Sequence, residues 1–294
     1  MTLKTMFRRR ATALLPAPIS ADVLRLVGRT RYELVPMKGV DDAIADLAPG
    51  APVSVTCSPV KGVPATLELS ARLLDLGHDV VPHVSARLVD GPAEVARIAT
   101  WLRDHGVGEL FVIAGDAERP VGPYADGLSF LRDLVQHDTG LTSVGVPSYP
   151  DGHPLVDTGV VRAALHAKQA LLHEAGLAGS TTTQMCLDAD RIRLWLTEER
   201  NLGLELPVDL GVPGVVDRTK LMTMGVRLGI GTSLRFLRKH RSTMMTLLSP
   251  GGYDPTELVA GVADRAAPLG IRGLHAFTFN RVGTTRQWQE QVLA

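Results

Sequence analysis

Two rhythms of apolar positions alternate along the chain. Short runs rich in Val, Ile, Leu and Thr predict strands over residues 31–36, 53–57, 79–85, 109–114, 142–149, 180–187, 206–212 and 274–280. Between them lie stretches in which apolar residues recur near the helical period. Leu67, Leu69, Leu73, Leu74 and Leu76 mark a helix over residues 65–76, and Val95, Ile98, Ala99 and Leu102 mark another over 92–105. Further helices are predicted over 128–137, 160–175, 189–200, 218–228 and 255–269, and residues 229–250 read as a helix with one basic and one apolar face. Gly77, Gly106, Gly176, Gly203 and Gly270 each follow a helical run, where a left-handed cap favours glycine.

Strand-helix alternation of this kind builds a parallel sheet. Runs such as Leu110-Phe111-Val112-Ile113, apolar along their whole length, belong to strands covered on both faces. A doubly wound open sheet would carry a glycine-rich phosphate turn after its first strand. Here Met37-Lys38-Gly39 follows instead. The expected fold is therefore an α/β protein, a single (β/α)8 TIM barrel over residues 31–294. Residues 1–30 form an N-terminal extension or a helix against the barrel floor.

Composition narrows the function. Apolar residues make up 45% and aromatics only 4%, which suggests a barrel filled by branched aliphatic side chains. Formal charge is zero, so no overall basic field gathers nucleic acid, and the Arg8-Arg9-Arg10 cluster reads as a solvated tail. Cys57 and Cys186 make neither a disulfide framework nor a metal-binding spacing, so no metal is expected and a reducing, cytoplasmic setting fits. No apolar run approaches the roughly 20 residues that span a bilayer. Pro16 and Pro18 interrupt the one apolar stretch near the start, which makes a poor signal peptide.

Barrels of this kind do their chemistry at the carboxyl ends of the strands, so the polar residues there belong together. Glu33 lies in an otherwise apolar strand. A charge there is costly unless paired, either with an arginine such as Arg31 or for a catalytic purpose. Gly115-Asp116 ends the fourth strand, where Asp116 either caps the next helix or faces the mouth. Thr56 ends the second strand and His83 lies in the third, the latter as a core histidine or a ligand contact. Tyr149 leads into Pro150-Asp151-Gly152-His153-Pro154, a sequence that also suits a turn. Gln184, in an apolar run, needs a hydrogen-bond partner.

Together these stretches resemble the methylenetetrahydrofolate reductase family. Tyr32-Glu33-Leu34-Val35-Pro36 is similar to its Phe-Glu-Phe-Phe-Pro strand, and Val53-Ser54-Val55-Thr56 to its second strand. Pro82-His83 and Gly115-Asp116 match its third and fourth. Tyr149 to Pro154 resembles Tyr-Pro-Glu-x-His-Pro, and Thr183-Gln184-Met185-Cys186-Leu187-Asp188 resembles Thr-Gln-Phe-Phe-Phe-Asp. Phe279-Asn280-Arg281 resembles the closing Leu-Asn-Arg. The pieces keep the family order over about residues 31 to 281.

The resemblance implies reduction of 5,10-methylenetetrahydrofolate to 5-methyltetrahydrofolate, a step of one-carbon metabolism. Glu33 falls on the family's general acid. Such an acid must hold its proton near neutral pH, which an apolar strand favours by desolvation. Asp116 falls on the carboxylate that contacts the pterin and balances the cationic intermediate, Gln184 on the amide that binds the folate, and Tyr149 on a residue at both substrate and cofactor. Thr56, His83, Gly115, His153 and Lys168 fall on cofactor-contacting positions.

The departures concern the flavin. The family's Arg-Gly-Asp is Ala114-Gly115-Asp116 here, and along 160–169 only Lys168 survives of the residues that meet the flavin's ribose and phosphates. Alanine offers a pyrophosphate neither charge nor donor. The sequence thus points to a flavin-free branch, with NADH or NADPH in the flavin's place. The alternatives are an FAD-dependent reductase of the same family and a folate-binding barrel without catalysis.

Overall fold

The computed structural model describes residues 19–216 and 253–294. Eight parallel strands close into a barrel in sequence order: β1 (Thr30–Leu34), β2 (Pro52–Val55), β3 (Asp79–Ser85), β4 (Glu109–Ile113), β5 (Ser143–Ser148), β6 (Ala178–Thr183), β7 (Val208–Pro213) and β8 (Ile271–Phe277). Seam strands β1 and β8 pair in parallel, Arg31 opposite His275 and Glu33 opposite Phe277. The helices outside are α1 (Ala21–Val27), α2 (Val40–Ala45), α3 (Gly62–Asp75), α4 (Pro92–Asp104), α5 (Gly127–Leu134), α6 (Thr158–Glu174), α7 (Ala189–Asn201), α8 (Thr256–Ala266) and α9 (Val282–Leu293). This is the TIM barrel that the alternating pattern predicts. Among the described residues no helix is long and apolar enough to cross a membrane. The helices expected over 218–228 and 229–250 lie outside the described residues.

All eight strands appear, shifted by a few residues. The sixth stops at Thr183 and the eighth at Phe277. The Gln184 N–H still donates to the Ser148 carbonyl at 2.7 Å, but strand pairing ends there, although β-prone residues continue. Gln184, Phe279 and Asn280 consequently lie in the loops of the mouth. Two helices escape the periodicity. α2 has six residues, and α9 is diluted by Thr, Arg and Gln while burying Val282, Thr285, Trp288 and Val292. Within the N-terminal extension, α1 is capped by Ser20 and buries Val23, Leu26 and Val27. It packs against β8, α8 and α9.

The expectation of an aliphatic barrel interior is wrong. The fully buried strand residues Leu110, Val112, Val144, Val146, Leu210, Val212, Leu274 and Ala276 share a core with helical Ile98, Leu102, Leu131, Ile192 and Val259. Strand side chains alternate between faces, so the other set fills the interior. That set is mostly polar and aromatic. Arg272 makes a two-pronged pair with Asp209, at 2.9 and 2.7 Å, and stands 3.5 Å from Glu109. Arg31 pairs with Asp79 at 2.8 Å. These ion pairs close the amino-terminal end of the barrel.

Above them two rings lie across glycines. A Cβ on Gly145 would stand 2.5 Å from the Phe111 ring. One on Gly211 would stand 2.0 Å from the Thr183 carbonyl oxygen and 2.8 Å from the Phe277 ring. Aromatic bulk there requires glycine opposite, and the rings form the base of the space above.

Candidate active site at the carboxyl mouth

At the carboxyl ends of the strands lies a cavity of about 330 Å³. Its lining includes Glu33 from β1, Thr56 after β2, His83 from β3, Phe111 from β4, Gly115 and Asp116 after β4, Tyr149 after β5, Gln184 after β6, and His275 and Phe277 from β8. Seven of the residues singled out from the sequence thus meet in one space, contributed by six successive strands and the loops that follow them. Its size suits a small heteroaromatic ligand.

Glu33 is only 7% exposed. The arginine expected as a structural partner is engaged elsewhere, since Arg31 binds Asp79 and the Val53 carbonyl. Glu33 Oε2 instead lies 3.0 Å from Nε2 of His275, itself 3% exposed. The backbone around Glu33 is clasped to the end of β8. Thr278 donates its hydroxyl to the Glu33 carbonyl, while Asn280 accepts from the Val35 N–H and donates to the Val35 carbonyl, both at 2.9 Å. Phe279 and Asn280 take positive φ, 52° and 60°, to form that clasp. Asn tolerates this conformation better than a bulky residue, and the pair of hydrogen bonds to Val35 offsets the strain.

His83 packs on Phe111 with ring centroids 4.6 Å apart, and its buried Nε2 has no hydrogen-bond partner among the described residues. Burial, and then the neighbouring His275 and Arg31, hold its pKa well below the ordinary value. It is therefore a neutral ring with an unsatisfied nitrogen, and a bound polar atom would relieve that cost.

Asp116 is exposed at the lip. Gly115 before it has φ 88°, and a Cβ there would meet Ser85 Cβ at 2.8 Å, so the turn that presents Asp116 requires glycine. Arg87 fixes the same loop, donating to the carbonyls of Ala117, Glu118 and Ala125 at 2.7, 2.7 and 3.2 Å. Sequence reasoning missed this role, because an arginine's backbone partners leave no local pattern. Across the cavity, burial and then Asp116 push the Tyr149 hydroxyl up to about 12, so it stays a hydrogen-bond donor. Gln184 accepts from the Met185 N–H at 2.8 Å through Oε1, which leaves its Nε2 hydrogens as the amide's donors.

Two of the residues expected at a cofactor do not line the cavity. His153 stands edge-on to Tyr149, with centroids 5.0 Å apart, and accepts from the Leu155 N–H at 3.2 Å, so it shapes the turn. Burial lowers its pKa, with Asp116 opposing. Lys168 is buried beneath the start of α5, where a Cβ on Gly127 would lie 3.5 Å from its Cε. Burial lowers its pKa and Asp126 opposes. Among the described residues no cluster of His, Cys, Asp and Glu has metal-binding geometry.

His275 was not singled out from the sequence. The signal was present: a histidine between Leu274 and Ala276 in a buried strand occupies an inward position and needs a polar partner.

No protein-family model matches the chain. Among solved structures, a Clostridium thermocellum protein that binds two copies of 5-methyl-5,6,7,8-tetrahydrofolic acid is similar over 92% of this chain and 98% of its own, with TM-score 0.60 and 11% identity. Dihydropteroate synthase from Thermus thermophilus is similar over 92% of this chain and 93% of its own, with TM-score 0.47 and 15% identity. At these identities the likeness is one of fold.

Proposed function

We propose that the protein binds a reduced folate in the mouth of the barrel and reduces 5,10-methylenetetrahydrofolate to 5-methyltetrahydrofolate with hydride from NADH or NADPH. The observation that carries this reading is the convergence of buried Glu33 with Asp116, Gln184 and Tyr149 on one cavity, in the roles that the resemblance to methylenetetrahydrofolate reductase implies. The folate-binding neighbour of the same fold is consistent with it.

The chemistry needs a proton and a hydride. Glu33 protonates one of the two nitrogens joined by the methylene bridge. That C–N bond breaks, and the other nitrogen's lone pair forms an exocyclic iminium. Hydride from the nicotinamide adds to the carbon and leaves a methyl group. Burial of Glu33 excludes water from the proton transfer and strengthens electrostatic interactions within the site. Asp116 offers negative charge to the cationic iminium, Gln184 offers amide donors to the pterin, and Tyr149 keeps its hydroxyl proton.

Among the described residues the donor set does not fit a resident flavin. A dinucleotide held through every turnover needs cations at its pyrophosphate. Ala114 replaces the family's arginine, Arg87 is bound to loop carbonyls, Arg162 to Glu198 and Glu199, and Arg191 to the Pro150 carbonyl. In this reading hydride passes directly from the nicotinamide to the iminium.

The purified protein should be colourless and should oxidise NADH in a methylenetetrahydrofolate-dependent reaction without added flavin. A yellow protein whose activity follows its FAD content would overturn the flavin-free mechanism. Glu33→Gln should lower kcat by roughly 10²- to 10⁴-fold and spare folate binding. Folate binding without turnover in the parent protein would favour a binding barrel, a second reading suggested by the neighbour.

A further inference from the structure

Resting on the folate reading above, we propose that Phe279 is the stacking plate for the p-aminobenzoyl ring of the folate, at the outer step of the cavity. Its backbone is the first sign. The Arg281 N–H donates to the Thr278 carbonyl at 2.9 Å, so Phe279 and Asn280 are the central pair of a tight turn. Both have positive φ, 52° and 60°. Gly, Asn or Asp ordinarily fill turns of that pattern, and a bulky side chain there is strained. The clasp to β1 imposes the conformation, because Thr278 and Asn280 on either side are both bonded to it. It does not ask for a ring. Glycine would close the same turn without strain, and strained residues of this kind collect at ligand clamps.

The place of the ring gives it a task. Phe279 is half-buried and lines the cavity. Three of the chain's six phenylalanines do so, Phe111, Phe277 and Phe279. Such a concentration, in a chain with only 4% aromatics, fits flat ligand rings. Phe111 and Phe277 form the base. Phe277 stands opposite Glu33 in the β1–β8 register, so acid and base ring share a level. Phe279 follows two residues later, and Asn280 beside it is bonded to Val35, two residues beyond Glu33. Two strand residues rise about 6–7 Å, so Phe279 stands nearer to solvent than the acid.

The substrate has the same order. In the proposed reaction Glu33 meets one of the two nitrogens joined by the methylene bridge. One of these belongs to the pterin, which reaches toward Asp116 and Gln184 on the loops after β4 and β6. The other carries the p-aminobenzoyl ring directly. Outward from Glu33, that ring is the next group of the ligand, and Phe279 is the next ring of the wall.

The test compares 5-methyltetrahydrofolate with 5,6-dimethyltetrahydropterin, which has the same reduced ring system without the p-aminobenzoyl arm. Titration calorimetry measures the binding of each to the parent, to Phe279→Gly and to Phe279→Leu. The glycine variant should bind 5-methyltetrahydrofolate about tenfold more weakly than the parent, and the pterin within about twofold of it. Leucine keeps apolar bulk without a ring face, and should lose about threefold on the folate alone. In turnover with NADH the glycine variant should raise KM for methylenetetrahydrofolate and keep kcat within about twofold. Three results overturn the assignment. They are a glycine variant with parental affinity for 5-methyltetrahydrofolate, equal weakening of both ligands, and a fall in kcat, by which the ring would only brace the clasp around Glu33. Should the glycine variant fail to fold, the leucine variant decides by the same comparison of two ligands. A parent that does not bind 5-methyltetrahydrofolate overturns the folate reading and the assignment together. A parent that binds it and is matched by both variants removes the assignment alone.

Discussion

The two ends of the barrel interior handle charge in opposite ways. At the amino-terminal end every inward acid has a cation: Asp209 and Glu109 share Arg272, and Asp79 takes Arg31. At the carboxyl end Glu33 has only a histidine, and the exposed Asp116 makes no ion pair among the described residues. Inward charges at the closed end neutralise one another and complete the fold. At the open end the acids have no lysine or arginine partner among the described residues, so their carboxyl groups remain available to a ligand. On the proposed reading, charge compensation, more than burial, separates structural from chemical carboxylates.

That contrast makes opposite demands on variants from the two ends. Glu33→Gln should have the largest effect on kcat and little effect on the thermal midpoint, since the amide keeps a hydrogen-bonding partner for His275. A large drop in midpoint would assign Glu33 to the scaffold. Asp209→Asn should do the reverse. It leaves Arg272 with one weaker acid partner, costs about 2 kcal/mol after allowance for partial solvent screening, and lowers the unfolding temperature by several degrees. The proposed turnover of the folded protein should be unchanged, and a loss of turnover without loss of stability would break the comparison.

Asp116→Asn should reduce kcat by about tenfold, less than the loss at Glu33, because the lip is exposed and its field is screened. Unchanged turnover would remove Asp116 from the chemistry.

The smallest effect concerns His83. Its folded pKa lies well below the ordinary 6.5. Above that value the ring is neutral in both folded and unfolded chains. As pH falls through it, the unfolded chain takes up a proton that the folded protein refuses, so stability declines on the acid side. His83→Gln should remove that part of the acid-induced decline in the denaturation midpoint, and an unaltered pH dependence would show that other groups cause it.

The fold was legible because its signals are local. Strand-helix alternation, full-length apolar strands and glycines after helices each follow from short-range periodicity, and the closed barrel has all eight expected strands. Most of the mouth was legible too, since the carboxyl ends of parallel strands converge wherever such a barrel closes. The content of the interior was not. Composition suggested aliphatic filling, but alternation does not say which face of a doubly covered strand turns inward. Register and closure put Val112 and Val146 against helices and Glu109 and Phe111 inside.

The sequence by itself determined the eightfold alternation and the set of polar residues at the strand ends. Only the tertiary structure decided their partners. Arg31 and Glu33 are two residues apart on the same strand, yet one closes the base with Asp79 and the other meets His275, 242 positions away in sequence. Seam pairing of β1 with β8 creates that contact, and the Asn280 clasp holds it. Lys168 turned beneath α5 rather than into the cavity for the same reason: a side chain's surroundings depend on which helices pack beside it, and that is fixed only when the ring closes.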